Sequence, residues 1–354
     1  MSSRRHFLTG LLAAGIIPAP TWADVGDPAF LAAAGLPDGS FVLCGIDATL
    51  NVIFRIPLPA RGHAAAAHPQ KPEAVAFARR PGTFAVVMDC RNGASKAWLE
   101  APQGRHFYGH GAFTKDGRTL LTTENDFENG QGRIGMWDAT GGYARIGEFA
   151  SGGIGPHDIK RLPGSDTFAV ANGGIDTHPG SGRTKLNLPT MRPNLSYLRD
   201  GQIIETVELD ADQHMNSIRH LAVAQDGSLA LGMQWQGDDR PPPLVGLHHQ
   251  GDPIRLMHAE AQTWDAMAGY VGSIAMFRDG SEIAVTSPRG GLVLRFDTAS
   301  GVQTGRTARA DVCGIAATDA GFIATTGTGA LLNVTADLTP RQAPLMWDNH
   351  LIAI

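Results

Sequence analysis

Apolar and polar residues alternate along most of the chain, and short turn signals interrupt the alternation. The clearest unit occupies residues 109–126, with an apolar run at 111–113, an Asp116-Gly117 turn and a β-rich return at 119–123. Asp-Gly between two apolar runs is a strong local signal for a β-hairpin. The pattern therefore predicts a hairpin that begins at a histidine, His110, and ends in two acids and an amide.

The same hairpin recurs along the chain as an inner strand, a turn and a return strand. Copies occupy residues 72–89, 109–126, 156–172, 220–233, 273–286 and 313–325. A seventh copy is divided between the two ends, with an inner strand at 350–354 and a turn with its return strand at 37–47. Four-stranded repeats of this size are typical of WD40-like β-propellers. We predict an all-β chain that forms a seven-bladed β-propeller, closed by pairing of N- and C-terminal strands, as a single domain over residues 24–354.

Inner strands of a propeller line its central channel, so equivalent positions form a ring at one height. Four of the seven equivalent positions hold histidine, namely His110, His157, His220 and His350. The others are Ser273, then Cys313 or Gly314, and Glu73 or Ala74. Imidazole is the commonest metal-ligating side chain and suits iron, copper, zinc and nickel. We therefore predict a transition metal or metal complex, either iron, haem or copper, at a channel mouth lined by these four histidines.

Polar residues at the ends of the return strands are expected at the same mouth. We predict that they contribute to cofactor binding together with an acid on an inner strand: Glu124, Asn125, Asp126, Asn172, Gln234, Trp235 and Asp158. Glu124, Asp126 and Asp158 are expected to accept hydrogen bonds from the second N–H of the ligating imidazoles. Upstream histidines that could also reach the mouth are His63, His68, His106 and His214.

Other interpretations of the histidine ring stay open at this point. Neutral, hydrogen-bonded histidines could simply satisfy strand ends around a water-filled channel. The same mouth could carry out metal-assisted hydrolysis or lyase chemistry on a small molecule. The protein could also be a scaffold that binds a partner through the insertion at residues 175–192. The sequence assigns no catalytic residue, because a metal ligand and a general base use the same side chain.

The N-terminus changes the expected location of the protein. Arg4 and Arg5 precede a short apolar segment and a small-residue exit at Ala23, which predicts a twin-arginine export signal at residues 1–23 and a periplasmic mature protein. The net charge of −5 argues against nucleic-acid and anionic-membrane partners. Three scattered cysteines do not form a disulfide framework. No membrane insertion is expected after cleavage of the signal.

Several long motifs resemble a family of bacterial propeller proteins of unassigned function. They are SRRHFL, YGHGAFTKDGRTLLTTENDFENGQGRIGMWD, GIGPHDIKRLPG, ANGGIDTHPGSGRTKLNLPTMRPNLSYL and HLAVAQDGSLALGMQWQGD. The resemblance spans nearly the whole chain. It implies export by the twin-arginine route and an association with imelysin-like iron-regulated proteins, hence a role in iron handling beside another periplasmic iron-uptake protein. It supplies no functional residues.

Overall fold

The structure is a computed structural model that describes residues 19–79, 83–182, 184–335 and 340–354. Residues 1–18 of the predicted signal peptide and the predicted turn at residues 81–82 lie outside the described residues. The chain folds almost entirely into β-strands, which form seven antiparallel sheets. The predicted seven-bladed β-propeller is thereby confirmed.

The strands follow one another in chain order, and we number the blades in the same order. The outer strands of blade 1 are β1 (Phe30–Gly35), β2 (Phe41–Ile46) and β3 (Val52–Leu58). Blade 2 contains β4 (Gly62–Ala67), β5 (Glu73–Ala78), β6 (Phe84–Asp89) and β7 (Ser95–Glu100). Blade 3 contains β8 (Arg105–Phe113), β9 (Thr119–Asp126), β10 (Gln131–Asp138) and β11 (Ala144–Ala150). Blade 4 contains β12 (Pro156–Arg161), β13 (Phe168–Asn172), β14 (Asn194–Arg199) and β15 (Gln202–Glu208).

The second half of the ring continues this pattern. Blade 5 contains β16 (Asn216–Val223), β17 (Leu229–Trp235), β18 (Val245–His248) and β19 (Arg255–Leu256). The helix α1 (Ala261–Ala266) leads to blade 6, which contains β20 (Ser273–Met276), β21 (Glu282–Ser287), β22 (Leu292–Asp297) and β23 (Gln303–Ala308). Blade 7 contains β24 (Val312–Thr318), β25 (Gly321–Thr326), β26 (Ala330–Asn333) and β27 (Arg341–Gln342). The chain then returns to blade 1 as β28 (Met346–Trp347) and β29 (Ile352–Ala353).

Pairing of β1 with β28 and β29 closes the ring. Ala34 lies opposite Trp347 in one ladder, and Leu31 lies opposite Ile352 in the other. The sequence predicted closure by both ends, but it placed the partner strand at residues 37–47, which the structure shows to be the third strand of the blade. The partner strand is β1, with the sequence FLAAAG, which gives little strand signal because alanine and glycine have low β-propensity.

Blade 2 also differs from the prediction. Its inner strand is the alanine-rich β4, and residues 73–78 form the second strand rather than the first. Glu73 therefore does not lie on the ring: its carboxylate accepts from Lys96 Nζ at 2.5 Å and from Tyr143 Oη at 3.0 Å. A run of alanines carries no period-2 signal, which explains the shift by one strand.

The blade turns share one local chemistry. The carboxylates of Asp116, Asp226 and Asp279 each accept from the backbone N–H two residues on, at 2.9–3.0 Å. The following glycine has positive φ in each case, as at Gly117 with φ 72°. These Asp-Gly turns pin the register of the inner hairpins, so they place the other end of each inner strand at a common height.

Buried aromatic and aliphatic side chains hold neighbouring blades together. Phe277 of blade 6 stacks on Phe322 of blade 7 with ring centroids 4.2 Å apart, and Phe77 of blade 2 meets Phe107 of blade 3 edge-on at 6.0 Å. Aromatic pairs of this kind contribute about 0.5–1.5 kcal/mol beyond area burial. Trp22, in the predicted signal segment, packs on blade 2 and donates Nε1–H to the His68 carbonyl at 2.9 Å. Within the described residues, no helix is long and apolar enough to cross a membrane.

Candidate metal centre

Five imidazoles meet in the channel, one from each of blades 1 to 5. Neighbouring ring centroids lie 4.6–6.3 Å apart in the cluster formed by His63 on β4, His110 on β8, His157 on β12, His220 on β16 and His350 between β28 and β29. His110 has ring contacts with all four others. The structure thus brings the four predicted ring histidines together and adds His63, which the sequence offered only as a residue that could reach the mouth.

β-Bulges place these side chains in the channel. Each of the four inner strands that carries a histidine of the cluster shifts register there, at Gly62/Ala65, Phe107/Gly111, Pro156/Asp158 and Ile218/His220. A bulge re-aims a side chain relative to the regular alternation of a strand. His63, His110 and His157 lie inside the bulges, and His220 directly follows one.

Two glycines make room for the cluster. Gly109 has φ 99°, and a Cβ there would come within 2.5 Å of His63 Cδ2. A Cβ on Gly314 of blade 7 would lie 2.6 Å from the backbone nitrogen of Leu351 and 2.8 Å from the carbonyl carbon of His350. Both positions therefore need glycine for a packing reason, and Gly109 also needs it for its backbone conformation.

The geometry of the nitrogens suits an ion. Ligand atoms of His63, His110 and His350 lie within 4.8 Å of one another, and so do those of His110, His157 and His220. Two nitrogens bound to one ion at 2.0–2.1 Å lie at most about 4.2 Å apart, so small ring rotations would bring either group into range. Both groups could hold a metal ion, and they share His110.

Hydrogen bonds orient two of the rings. His110 Nδ1 lies 3.1 Å from Asp158 Oδ1, and His157 Nδ1 lies 3.0 Å from the carbonyl oxygen of Arg219. Each acceptor favours the tautomer with the proton on Nδ1, which leaves the Nε2 lone pair for another partner. Asp158 was predicted as such an acceptor, and its Oδ2 also accepts from the backbone N–H of Leu221 in the next blade at 3.0 Å.

Several buried ring nitrogens have no hydrogen-bond partner among the described residues. They are Nε2 of His110, both nitrogens of His220, Nε2 of His350 and Nδ1 of His63, which lies 3.9 Å from Asp348 Oδ1. An unsatisfied buried polar group costs about 1–3 kcal/mol. Such a concentration of unsatisfied nitrogens at one point is the donor set that a metal ion requires.

Burial disfavours the protonated form of four of these imidazoles. It lowers the pKa of His63 to about 4, against the opposing effect of Asp348. Burial, followed by the neighbouring histidines, lowers the pKa values of His157, His220 and His350 well below the usual range. Neutral imidazole is the ligating form, so the rings need not lose a proton to bind a metal at neutral pH.

Two buried carboxylates, Asp158 and Asp348, lie beside the cluster. Burial raises the pKa of Asp158, but Lys160, His110 and the Leu221 N–H outweigh it and hold the pKa below its usual range. The Asp348 carboxylate accepts from Arg61 and Arg79, both at 2.6 Å. Despite its burial, contacts with His63 and Arg79 hold its pKa at about 2. Both acids are therefore ionised at neutral pH.

Other predicted cofactor residues lie in separate networks. Glu124 accepts from Arg145 at 2.7 and 3.0 Å, and Asp126 accepts from Asn129 at 2.9 Å near Arg105. These hydrogen bonds and ion pairs bind arginines and an amide rather than an imidazole. Glu124 and Asp126 therefore do not accept hydrogen bonds from the clustered histidines, although the sequence predicted that they would. The reason is that β9 is the second strand of its blade and lies outside the channel wall.

The remaining predicted residues divide between the cavity and the blade interiors. Gln234 lines the cavity above the histidines, whereas Trp235 donates to the Asp239 carbonyl at 3.2 Å. Asn172 bonds Ser151 and Asn194 inside blade 4. Asn125 donates to the Thr177 carbonyl at 3.1 Å and so anchors the insertion that follows β13.

The upstream histidines outside the cluster serve local packing. His68 Nδ1 accepts from two backbone N–H groups of its turn, at 3.0 and 3.1 Å, and His106 stacks on Phe127. His214 Nδ1 contacts the carbonyl of Ala211. A repeated dipeptide distinguishes His63 from these, since Gly62-His63 matches Gly109-His110 in the next blade.

A cavity of about 270 Å³ opens above the cluster. Its wall combines three of the histidines with cationic, aromatic and amide side chains: His63, His157, His220, Arg79, Arg219, Lys185, Tyr108, Tyr270, Gln234, Asn349, Ile175 and Thr177. The cavity gives a small molecule access to the imidazoles from one face of the propeller.

Fold and site together define a seven-bladed β-propeller with a histidine cluster in its channel. The chain belongs to the family described as "Protein of unknown function (DUF1513)", whose model matches residues 56–354. No curated protein sequence matches the chain.

Solved structures show the same architecture at low sequence identity. Kuenenia stuttgartiensis hydrazine synthase has a TM-score of 0.61 at 12% identity, over 93% of this chain and 98% of that chain. The Myceliophteria thermophila Cps50 (Swd1) beta-propeller domain has a TM-score of 0.59 at 12% identity, over 87% of this chain and 91% of that chain. These likenesses bear on the fold alone.

Proposed function

We propose that the protein is a periplasmic metal-binding propeller that holds one transition-metal ion, iron or copper, at the histidine cluster of blades 1 to 5. The observation that carries this proposal is the convergence of five imidazoles, five of whose buried ring nitrogens have no hydrogen-bond partner among the described residues. A water-filled structural ring would leave these nitrogens to solvent, whereas His110, His220 and His350 are only 3–5% exposed.

His110 is the central ligand of the proposed site. It belongs to both groups of possible ligands, and Asp158 fixes its orientation. One Nε2 lone pair serves one ion in the neutral tautomer, so the two groups describe a single site with alternative or combined ligands. A carboxylate behind a ligating histidine also raises the basicity of the ring, which strengthens metal binding.

The donor set narrows the choice of ion. Imidazole nitrogen suits copper, iron, zinc and nickel, and affinity at such sites follows an order that peaks at copper. Cys313 stands at the equivalent height in blade 7, but burial raises its pKa to about 12, so it does not supply a thiolate. Pockets for drug-sized ligands typically measure about 300–1,000 Å³. The cavity volume of about 270 Å³ thus favours an ion with a small ligand over haem.

Metal analysis tests the proposal directly. Mature protein purified from the periplasm is expected to contain about one equivalent of iron or copper, measured by mass spectrometry. The metal-free protein is expected to bind added Cu²⁺ or Fe²⁺ with one-site calorimetric behaviour. The variant His110→Gln should lose this binding, and His249→Gln, a surface control, should keep it. The absence of any stoichiometric ion, with unchanged thermal stability on adding copper, iron, zinc or nickel, would overturn the proposal.

An enzymatic use of the same ion is a second candidate. It is favoured by the cavity, which gives a substrate access to His157 and His220, and catalytic metal sites keep one position open in this way. Metal-loaded protein would then hydrolyse 4-nitrophenyl acetate or a phosphate ester faster than the metal-free protein. Equal rates for the wild-type protein and His220→Gln would exclude this use for those substrates.

Location and partner rest on the sequence motifs. The proposed twin-arginine signal is tested by replacing Arg4 and Arg5 with lysine, which should retain the protein in the cytoplasm in a fractionation assay. The proposed association with a periplasmic iron-uptake protein is tested by co-purification from wild-type cells grown with and without iron. Export that is insensitive to the arginine replacement would reject the twin-arginine route.

A further inference from the structure

The wall of the cavity is cationic, although the whole chain has a net charge of −5. Lys185, Arg219 and Arg79 line it directly. Arg289 adjoins them, since its guanidinium carbon lies 4.3 Å from the centre of the Tyr270 ring, which is itself part of the wall. Positive charge is therefore concentrated at the opening that gives access to the histidines.

These cations differ in how far nearby acids neutralise them. Arg79 donates to the buried Asp348 carboxylate at 2.6 Å, so that carboxylate neutralises its charge. Partial burial, followed by the charges of Arg219 and Arg289, lowers the pKa of Lys185, with Asp238 in partial opposition. Among the described residues, no hydrogen bond or salt bridge holds the Lys185 ammonium. The mouth thus presents mutually repelling cations, an arrangement that an anionic ligand would stabilise.

The insertion after β13 is folded so as to hold Lys185 at this position. Leu186 N–H donates to the Asp176 carbonyl at 3.0 Å, and Asn187 bonds both Asp176 N and the Gly174 carbonyl at 2.8 and 2.9 Å. Asn125 of blade 3 anchors the same segment through Thr177. Local hydrogen bonds therefore position the lysine over the cavity, rather than leaving it on an unconstrained loop.

The bulge in β16 brings Arg219 to the same cavity. The Arg219 carbonyl orients His157, while its side chain lines the wall beside His220. One residue thus links a possible metal ligand to the cationic wall. Gln234 and Tyr270, joined by a backbone bridge, also line the wall, and the Gln234 amide donates to the Val271 carbonyl at 3.0 Å.

We propose that this cationic mouth, formed by Lys185, Arg219, Arg289, Tyr270 and Gln234, binds a small multiply charged oxyanion, carboxylate or phosphate, directly above the histidine cluster. This inference extends the proposed function. It depends on that function only for the metal ion that would lie beneath the oxyanion. The metal would then be received or released as an anionic chelate. Guanidinium and ammonium groups recognise carboxylate and phosphate oxygens through charge-assisted hydrogen bonds.

The test uses the full-length protein and two probes, citrate and inorganic phosphate, in a buffer without other oxyanions. Calorimetry on metal-free protein is expected to show binding of one probe per chain, weakened as salt rises. Stronger binding of citrate identifies a polycarboxylate site, and stronger binding of phosphate identifies a phosphate site. Lys185→Gln should weaken binding at least 10-fold, and Lys185→Arg should restore most of it. Lys115→Gln, on the β8–β9 turn, should leave it unchanged.

The outcomes separate this inference from the metal proposal. Copper or iron titrations in the same buffer measure the metal site alone, and Lys185→Gln is expected to leave the metal affinity within a factor of three. Metal binding without citrate or phosphate binding would overturn the oxyanion site only. Oxyanion binding without metal binding would overturn the metal site only. Equal binding of both probes to wild-type protein and Lys185→Gln would also overturn the oxyanion site, as an adventitious interaction.

Discussion

Two arcs of the same ring use the same repeat position differently. In blades 1 to 5 this position holds histidines whose rings contact one another, whereas in blades 6 and 7 it holds Ser273 and Cys313. Ser273 Oγ accepts from the backbone N–H of Ile315 in the next blade at 3.3 Å, and Cys313 Sγ contacts the Asp311 carbonyl. In blades 6 and 7 these side chains form hydrogen bonds with backbone groups. In blades 1 to 5 several imidazole nitrogens keep lone pairs that a ligand could use.

Acid should affect the histidine arc most. The folded-state pKa of His63 is about 4, below the unfolded value of about 6.5, so its stabilising contribution is complete above pH 6.5 and is lost as pH falls toward 4. For His63 alone this corresponds to about 3 kcal/mol. We expect the unfolding free energy of metal-free protein, measured by urea at several pH values, to fall over this range.

A matched pair of variants assigns that loss to the cluster. His63 is in contact with Asp348, Arg79 and His110, so His63→Gln removes a titrating group from this set and should flatten the pH dependence. His249→Gln removes an exposed histidine and should not. The same slope in both variants would show that the acid sensitivity does not arise at His63.

Paired substitutions should show which blades of the arc hold the ion. His157→Gln with His220→Gln removes one group of ligands and leaves His63, His110 and His350. If blades 4 and 5 hold the metal, affinity should fall by about 100-fold or more, equivalent to about 2.7 kcal/mol. The complementary pair, His63→Gln with His350→Gln, should then have a small effect by calorimetry. Comparable losses in both pairs would instead indicate one site built by all five rings.

Asp158 and Ser273 permit a direct comparison of the two arcs, since each accepts a backbone N–H of the next blade. Asp158→Asn should weaken metal binding by about 10–100-fold, because the carboxylate also orients His110. Ser273→Ala should leave metal affinity unchanged and should lower the unfolding free energy by about 1 kcal/mol. A loss of metal affinity in the serine variant would erase the distinction between the arcs.

Gly109 tests whether crowding of His63 matters to the site. Gly109→Ala introduces strain at φ 99° and crowds His63, so it should cost about 1–2 kcal/mol in unfolding free energy and also weaken metal binding. Gly39 has φ 87°, and a Cβ added there would meet nothing within 4 Å, so Gly39→Ala isolates the backbone strain. Equal metal affinity in both variants would show that crowding of His63 does not matter to the site.

Much of the fold could be predicted because Asp-Gly turns and alternating apolar residues mark each hairpin locally. The errors fell on β1 and β4, where alanine replaces the β-branched residues that give a strand its signal. Four of the five clustered histidines followed from repeat position alone. His63 did not, because its strand was assigned one place too far along the chain.

Site details beyond the ring depended on packing. The β-bulges in the inner strands cannot be predicted from residue patterns, yet they determine which side chains enter the channel. Glu124 and Asp126 looked equivalent to Asp158 as acids near strand ends, but arginines of their own blade bind them. Lys185 and Arg289 are far apart in the sequence, so their approach to one cavity depends on the fold of the insertion after β13 and on the contact of Arg289 with Tyr270.

Closure of the ring also has a thermodynamic consequence for the proposed metal. β1 pairs with β28 and β29 across almost the whole length of the described chain, and His350 lies between these two closing strands. Joining segments so distant in sequence costs about 5 kcal/mol of chain entropy. An ion shared between His350 and the histidines of other blades would bind only the closed form, so it would stabilise the seam in proportion to RT ln(1 + [M]/Kd). The metal concentration would then set how often the propeller opens at blade 1.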